Sequence, residues 1–166
     1  GLGDVYKRQW QYSLNHLGKE IHMCMEGYCS AYIYWYLKRF YGLMGDTDKR
    51  SPTSEGEITK NGYIMAHYAQ YATETTRIKA VINNEEVCAT AYWDEKTGEV
   101  TIVLLNLNGA SQWLEIPLAG IKKASAVETN ETKNMEVIDT GLMESAEGIT
   151  VLLSANSITS VRLTFK

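Results

Sequence analysis

Ser30-Ala31-Tyr32-Ile33-Tyr34-Trp35-Tyr36-Leu37-Lys38-Arg39-Phe40-Tyr41-Gly42 is the stretch on which the fold reading turns. Seven consecutive apolar or aromatic residues, Ala31 to Leu37, run into Lys-Arg and then a Tyr-Gly turn. A run that short, with β-branched and aromatic content, predicts a strand covered on both faces, as in a parallel sheet. Strands of that kind belong to α/β architectures, where ligands sit beyond the C-terminal ends of the strands. That end carries Trp35, Lys38, Arg39 and Tyr41. An indole beside a guanidinium suits a sugar ring bearing a carboxylate: the C–H face packs on the indole and the guanidinium pairs with the acid. On residue types alone, composition favours the plainer alternative, a buried aromatic strand with a solvated basic exit. Strand parity puts Trp35, Leu37 and Arg39 on one side and Tyr32, Tyr34 and Tyr36 on the other.

Outward from this stretch the pattern divides in two. Before it, Leu14, Leu17, Ile21, Cys24 and Met25 follow helical spacing, predicting an amphipathic helix over Trp10–Met25 that Gly27 ends. After it, residues 43–57 are polar and rich in turn formers, hence a loop. Thr59 is an N-cap for a helix over Lys60–Tyr71. Near residue 75 the period switches to two. Strands are expected over Thr76–Ile82, Val87–Trp93, Val100–Asn106, Gln112–Pro117, Ala124–Glu128, Met135–Ile138, Ile149–Leu153 and Ile158–Phe165, with Lys96-Thr97-Gly98-Glu99 as a hairpin turn. Short strands at such intervals are the signature of an antiparallel sandwich.

The chain of 166 residues carries a net charge of −4, with Lys and Arg scattered rather than striped, which argues against nucleic acid or an anionic membrane as partner. No apolar run approaches the roughly 20 residues of a membrane helix. Residues 1–9 (GLGDVYKRQ) open without Met and read as a translated sequencing adapter of the kind met at the ends of metagenomic assemblies, to be set aside from fold reasoning. Cys24, Cys29 and Cys88 form no metal spacing with His16, His22 and His67. They read as free, mostly buried thiols, with a Cys24–Cys29 bridge as the alternative. The histidines read as packing or surface groups, and no metal or other cofactor is expected.

Ala31–Gly42, followed by Ile58-Thr59-Lys60-Asn61-Gly62-Tyr63-Ile64-Met65-Ala66-His67-Tyr68, resembles the last barrel strand and last barrel helix of glycoside hydrolase family 30, in its bacterial xylanase subfamily 8. Two unusual segments in the right order carry this resemblance, which extends over about residues 10–166. It implies a C-terminal remnant of a (β/α)8 barrel over residues 10–75, an α/β part, followed by an all-β sandwich side domain over residues 76–166. It implies a retaining endo-β-1,4-xylanase acting on glucuronoxylan, secreted or at the cell surface, and monomeric at full length. Substrate-binding positions carried over are Trp35 at the floor of the catalytic subsite and Arg39 on the glucuronate branch, with Tyr41 and Tyr34 beside them. Lys38 points away. Position 34 departs from the family, which often has Trp there, and the 43–57 loop is longer than usual, which leaves chain-length preference open.

Retaining glycosidases need two carboxylates about 5–5.5 Å apart. The resemblance places both glutamates after barrel strands four and seven, upstream of Trp10, so no catalytic residue is expected here and the chain alone should be inactive. Glu20, Glu26, Glu55 and Glu57 are poorly placed to substitute. Two rivals stand beside this reading. One is a carbohydrate-binding module using Tyr92, Trp93 and Trp113, for which a planar patch of exposed aromatics on the β domain would speak. The other is a different family 30 specificity, a β-glucosidase or β-1,6-glucanase, against which Arg39 argues because neutral glucans offer no carboxylate.

Overall fold

Helical spacing around Leu14, Leu17 and Ile21 becomes a continuous helical rod in the computed structural model, which describes residues 9–138, 142–145 and 147–165. The rod begins at residue 9, widens into a π-helical turn at Leu14–Gly18 and continues as α1, Lys19–Glu26. Gly18 explains how closely it can seat. A Cβ there would lie 3.0 Å from a Leu105 methyl and 3.3 Å from one of Leu14. The rod ends as its spacing predicts, with Gly27 N–H donating to the Met23 carbonyl at 2.9 Å and Tyr28 turning left-handed (φ 58°). The second helix, α2 (Lys60–Ala69), starts at Thr59, whose hydroxyl accepts from Gly62 N–H at 3.2 Å and donates to the Gly42 carbonyl at 2.7 Å. That cap satisfies one orphan N–H and ties the helix start to the preceding turn.

Between the helices the expectation of a sheet strand requires correction. Ala31–Leu37 joins no ladder among the described residues; the nearest pairings are single bridges, Lys38 with Met44 and Met44 with Ile58. A strand is held by backbone partners along its edges, and here the only such bonds among the described residues are at the segment's end, where Leu43 and Met44 N–H donate to the Tyr36 and Leu37 carbonyls. The alternation of side chains survives nonetheless. Tyr32 and Tyr34 pack against the helical core, while Ile33, Trp35 and Leu37 are 89, 76 and 61% exposed.

The remainder is an antiparallel sandwich, with nine strands among the described residues: β1 (Thr76–Ile78), β2 (Val87–Trp93), β3 (Val100–Asn106), β4 (Gln112–Ile116), β5 (Ile121–Thr129), β6 (Glu136–Val137), β7 (Leu142–Ser145), β8 (Gly148–Leu153) and β9 (Ser157–Phe165). One sheet runs β1-β2-β3-β9-β5-β6 and the other β4-β8-β7. The β2–β3 hairpin closes as its sequence predicts, with Gly98 at φ 71° and its N–H donating to the Asp94 carbonyl at 2.8 Å. The sequence pattern missed β7 and overextended β1, whose regular pairing stops at Ile78.

Two cores lie on opposite faces of the larger sheet. Val87, Leu104, Ala126, Val161 and Leu163 meet Ile149, Val151 and Leu153 of the smaller sheet. Tyr92, Val103, Leu105 and Ile158 meet Trp10, Leu14, Leu17, Ile21, Ile64 and Tyr68 of the helical layer. Period-two alternation sends consecutive residues such as Leu104 and Leu105 to different cores. Polar pins fix the layers. Trp10 Nε1 donates to the Asn156 carbonyl at 2.7 Å, and fully buried His67 bridges Ser160 Oγ (2.8 Å) and Thr129 Oγ1 (2.9 Å). Lys60 Nζ donates to the Asn130 and Lys133 carbonyls and Asn134 Oδ1.

Candidate substrate-binding surface

The basic exit of the aromatic segment is a tight turn whose shape depends on Gly42. Gly42 N–H donates to the Arg39 carbonyl at 2.8 Å, Leu43 N–H to Tyr36 at 3.2 Å and Met44 N–H to Leu37 at 2.8 Å. A Cβ on Gly42 would sit 2.7 Å from Arg39 N and 2.8 Å from the Tyr36 carbonyl, both backbone atoms that cannot yield cheaply. The turn therefore presents Arg39 at its tip.

Trp35 and Tyr36 meet edge to face, with ring centroids 4.8 Å apart, and the Arg39 guanidinium lies 5.6 Å from the Tyr36 ring centroid. These three side chains form one exposed aromatic–cationic surface. Arg39 is exposed and makes no ion pair or hydrogen bond among the described residues, although its charge reaches Asp48 at longer range; Lys38, by contrast, pairs with Glu55 at 2.5 Å. Tyr41 is half-exposed and meets Phe40 edge to face at 4.8 Å. Tyr34 lies on the opposite side from Trp35. Its hydroxyl donates to the Tyr41 carbonyl at 2.7 Å and receives Asn61 Nδ2 at 3.2 Å, and burial pushes its pKa up. It braces Tyr41 from behind. Tyr32, likewise inward, donates to Glu20 at 2.8 Å, and burial first and then that bond hold its proton on.

Parity had set Tyr36 apart from Trp35, and the structure instead makes it the bridge to Arg39. The usable signal was local: once the chain turns, residues three apart such as Tyr36 and Arg39 become neighbours.

The 43–57 loop is internally built. Gly45 N–H donates to Glu57 O (2.8 Å), Gly56 N–H to Gly45 O (3.0 Å) and Asp46 N–H to Ser51 Oγ (3.1 Å). Arg50 clasps Asp48 at 2.7 Å, which holds that carboxyl below the usual range, and lies 3.7 Å over the Phe40 ring. A cleft of 720 Å³ runs behind Tyr34 and Tyr41 past Tyr12, His16, Arg50 and Asn61.

No carboxylate pair suited to glycosidic cleavage is assembled by the sequence's candidates. Glu20 accepts from Tyr32, Glu55 pairs with Lys38, Glu57 accepts from Ser54 N–H at 3.1 Å, and Glu26 lies 3.6 Å from His22. No group of His, Cys, Asp and Glu suited to a metal occurs among the described residues. The cysteines are free, but the expectation of burial needs correction: Cys29 is exposed just past the helix end, and Cys24 and Cys88 are half-buried. On the sandwich, Tyr92 is buried. Trp93 pairs with Val100 at one end of the β2–β3 ladder, whereas Trp113 follows Gln112, which contacts Asn106 at the other end. The exposed indoles thus share no planar patch, which removes the feature a binding module would show.

In comparison with known proteins, no family model matches the chain. It is 30% identical over 157 residues to glucuronoxylanase XynC of Bacillus subtilis (strain 168), an alignment covering 92% of this chain and 34% of that protein. A second B. subtilis glucuronoxylanase XynC is 31% identical over 119 residues, 69% of this chain and 26% of that one. The chain thus spans about a third of the length of the curated relatives it matches. The fold matches the glycoside hydrolase family 30 subfamily 8 xylanase Xyn30A from Clostridium acetobutylicum with a TM-score of 0.78 at 22% identity, over 93% of this chain and 39% of that one. A GH30 endoxylanase from Clostridium papyrosolvens C71 matches with a TM-score of 0.76 at 24% identity, over 92% and 38%.

Proposed function

We infer, from the family 30 character that sequence and fold share, that this chain is the C-terminal part of a glucuronoxylan endo-β-1,4-xylanase and supplies one wall of its substrate cleft. The observation that carries the reading is Arg39, an exposed guanidinium without an ion pair among the described residues, next to the Trp35–Tyr36 aromatic pair. Trp35 offers its ring to a xylose face. Arg39 takes the glucuronate carboxylate, and Tyr41, braced by Tyr34, closes the side. Tyr36 holds the guanidinium over its ring and limits its conformational freedom.

The chemistry of retention needs a proton donor and a nucleophile facing each other across one bond. In this reading both come from elsewhere in the longer polypeptide, and the present chain binds without cleaving. A polymer of this kind is met outside the cell, so a secreted or cell-surface enzyme goes with the proposal.

The test is Arg39→Ala in the full-length protein. A charge pair removed from water is worth roughly 2–4 kcal/mol, about 30- to 700-fold. Activity on glucuronoxylan should fall by that factor while activity on unbranched xylan barely moves. Equal losses on both substrates would sink the assignment, and a neutral β-glucan as the better substrate would favour a different family 30 specificity.

A further inference from the structure

The end of α1 sets two thiols side by side. Tyr28 N–H donates to the Met25 carbonyl at 3.2 Å and Cys29 N–H to the Cys24 carbonyl at 3.0 Å, with Tyr28 itself left-handed (φ 58°). This pair of bonds folds the chain after the turn back onto the last helical turn, so that the side chains at its first and sixth positions meet. That contact is commonly apolar. Here the two positions are Cys24 and Cys29.

The geometry admits a covalent bond between them. The 3.0 Å hydrogen bond keeps the two Cα atoms within about 6.9 Å, inside the roughly 7 Å beyond which a disulfide cannot close without moving backbone. The thiols are also within range of each other: burial first, and then the Cys29 thiol, push the Cys24 thiol up. Cys29 is exposed, so a reagent in solution can reach it, whereas Cys24 is half-buried. The third thiol, Cys88, packs from β2 against the helical core.

We propose that Cys24 and Cys29 are a redox-active dithiol that closes into a disulfide across the end of α1, with a small-molecule disulfide such as oxidised glutathione as the oxidant. Cys29, losing its thiol proton, attacks one sulfur of the oxidant and expels the other as a thiolate, leaving a mixed disulfide. Cys24, losing its own proton, then attacks the Cys29 sulfur and expels the second thiolate. The two expelled thiolates take up the two protons, so the protein pair is oxidised by two electrons and the oxidant is reduced to two thiols. Cys24 needs no access from solution, because its target is already attached to its neighbour. The closed ring fixes Tyr28, whose ring centroid lies 5.6 Å from the Arg77 guanidinium on β1. Oxidation therefore stiffens the joint between the helix end and the sandwich edge. The site is separate from Arg39 and does not depend on the xylanase reading.

The experiment equilibrates the 166-residue chain with set ratios of reduced and oxidised glutathione, folded and in urea. Remaining thiols are blocked with iodoacetamide, and mass spectrometry weighs the tryptic peptide Glu20–Lys38, which holds Cys24 and Cys29 but not Cys88. The expected product is that peptide unalkylated and lighter by two hydrogens, restored by a reducing agent. The cap assembles the pair in advance, so closure should be roughly tenfold or more favourable in the folded chain than in urea. The same factor should raise the melting midpoint of the oxidised chain by about 3–6 °C. Cys29→Ser should abolish the bridge and the shift, Cys24→Ser should stop the reaction at a glutathione adduct on Cys29, and Cys88→Ser should change neither. The proposal is overturned if the folded parent chain accumulates the Cys29 adduct in place of the bridge, if Cys24 stays open to alkylation after oxidation, or if closure is no more favourable folded than in urea. These readings use the parent chain alone, so they decide the matter even where a serine variant fails to fold.

Discussion

Acidification should loosen α2 from the large sheet through a single imidazole. His67 is fully buried, and its ring nitrogens reach Ser160 on β9 and Thr129 on β5 at 2.8 and 2.9 Å. Burial without a counter-charge lowers its pKa from 6.5 to about 3. The neutral ring is therefore the one the fold holds, whereas the unfolded chain takes up a proton near pH 6.5. The contribution is complete above that pH and is lost progressively as pH falls toward about 3. Each pH unit in this window costs about 1.4 kcal/mol, so falling from 6.5 to about 4.5 removes roughly 2–3 kcal/mol. For a chain of this size that lowers the melting midpoint by about 5–10 °C. Paired carboxylates also weaken in acid, so the comparison that isolates His67 is His67→Gln, which keeps a donor and an acceptor but does not titrate. Its stability at neutral pH should be lower through imperfect packing, and its loss between pH 6.5 and about 4.5 should be smaller by most of that 2–3 kcal/mol. NMR of the ring Cε1–H gives the direct reading: His67 should stay neutral through the pH range in which an unburied imidazole takes up its proton. A His67 resonance titrating near its ordinary value, or identical pH slopes for parent and variant, would refute the reasoning.

Further outcomes follow from the turn, the cap and the unpaired segment. Gly42→Ala should displace the Arg39 turn, because the new methyl meets backbone at 2.7–2.8 Å, and in the full-length enzyme should reduce glucuronoxylan activity much as Arg39→Ala does. Thr59→Ala removes both the Gly62 cap and the bond to Gly42 and should cost about 1–2 kcal/mol in urea denaturation. Hydrogen exchange should be rapid over Ala31–Leu37, which has no ladder among the described residues, and slowest in β2, β3 and β9; strong protection across Ala31–Leu37 in a monomer would contradict the structure. Purified chain should release no reducing ends from glucuronoxylan over many hours, and turnover abolished by mutating Glu26, Glu55 or Glu57 would relocate the active site.

Much of the fold is legible because its signals are local. β2 and β3 have the bounds that their alternation and the Asp94–Glu99 turn require, and Thr59 marks the start of α2 by its own chemistry. β7 escaped because Leu142–Ser145 offers too few residues for a period to show. The Ala31–Leu37 error has a different origin. An unbroken apolar run reports how much burial the residues want, but a ladder depends on backbone partners far away in sequence, which no local pattern encodes. For the surface, Trp35 and Arg39 were readable as types suited to an acidic sugar. The freedom of Arg39 from any close ion pair among the described residues, the pairing of Lys38 with Glu55 and the bridging position of Tyr36 are properties of the folded turn.

The large sheet serves as a party wall between two cores, and that has a practical consequence for anyone dividing the protein. A cut between α2 and β1 would bare Tyr92, Val103, Leu105 and Ile158 to water and leave His67's partners Ser160 and Thr129 facing solvent. The strands released would be a sticky half-sandwich. An appended module can be moved between proteins as cassettes are, but this one takes its second face from the helices before it, so its inheritance, its solubility and its stability travel with them.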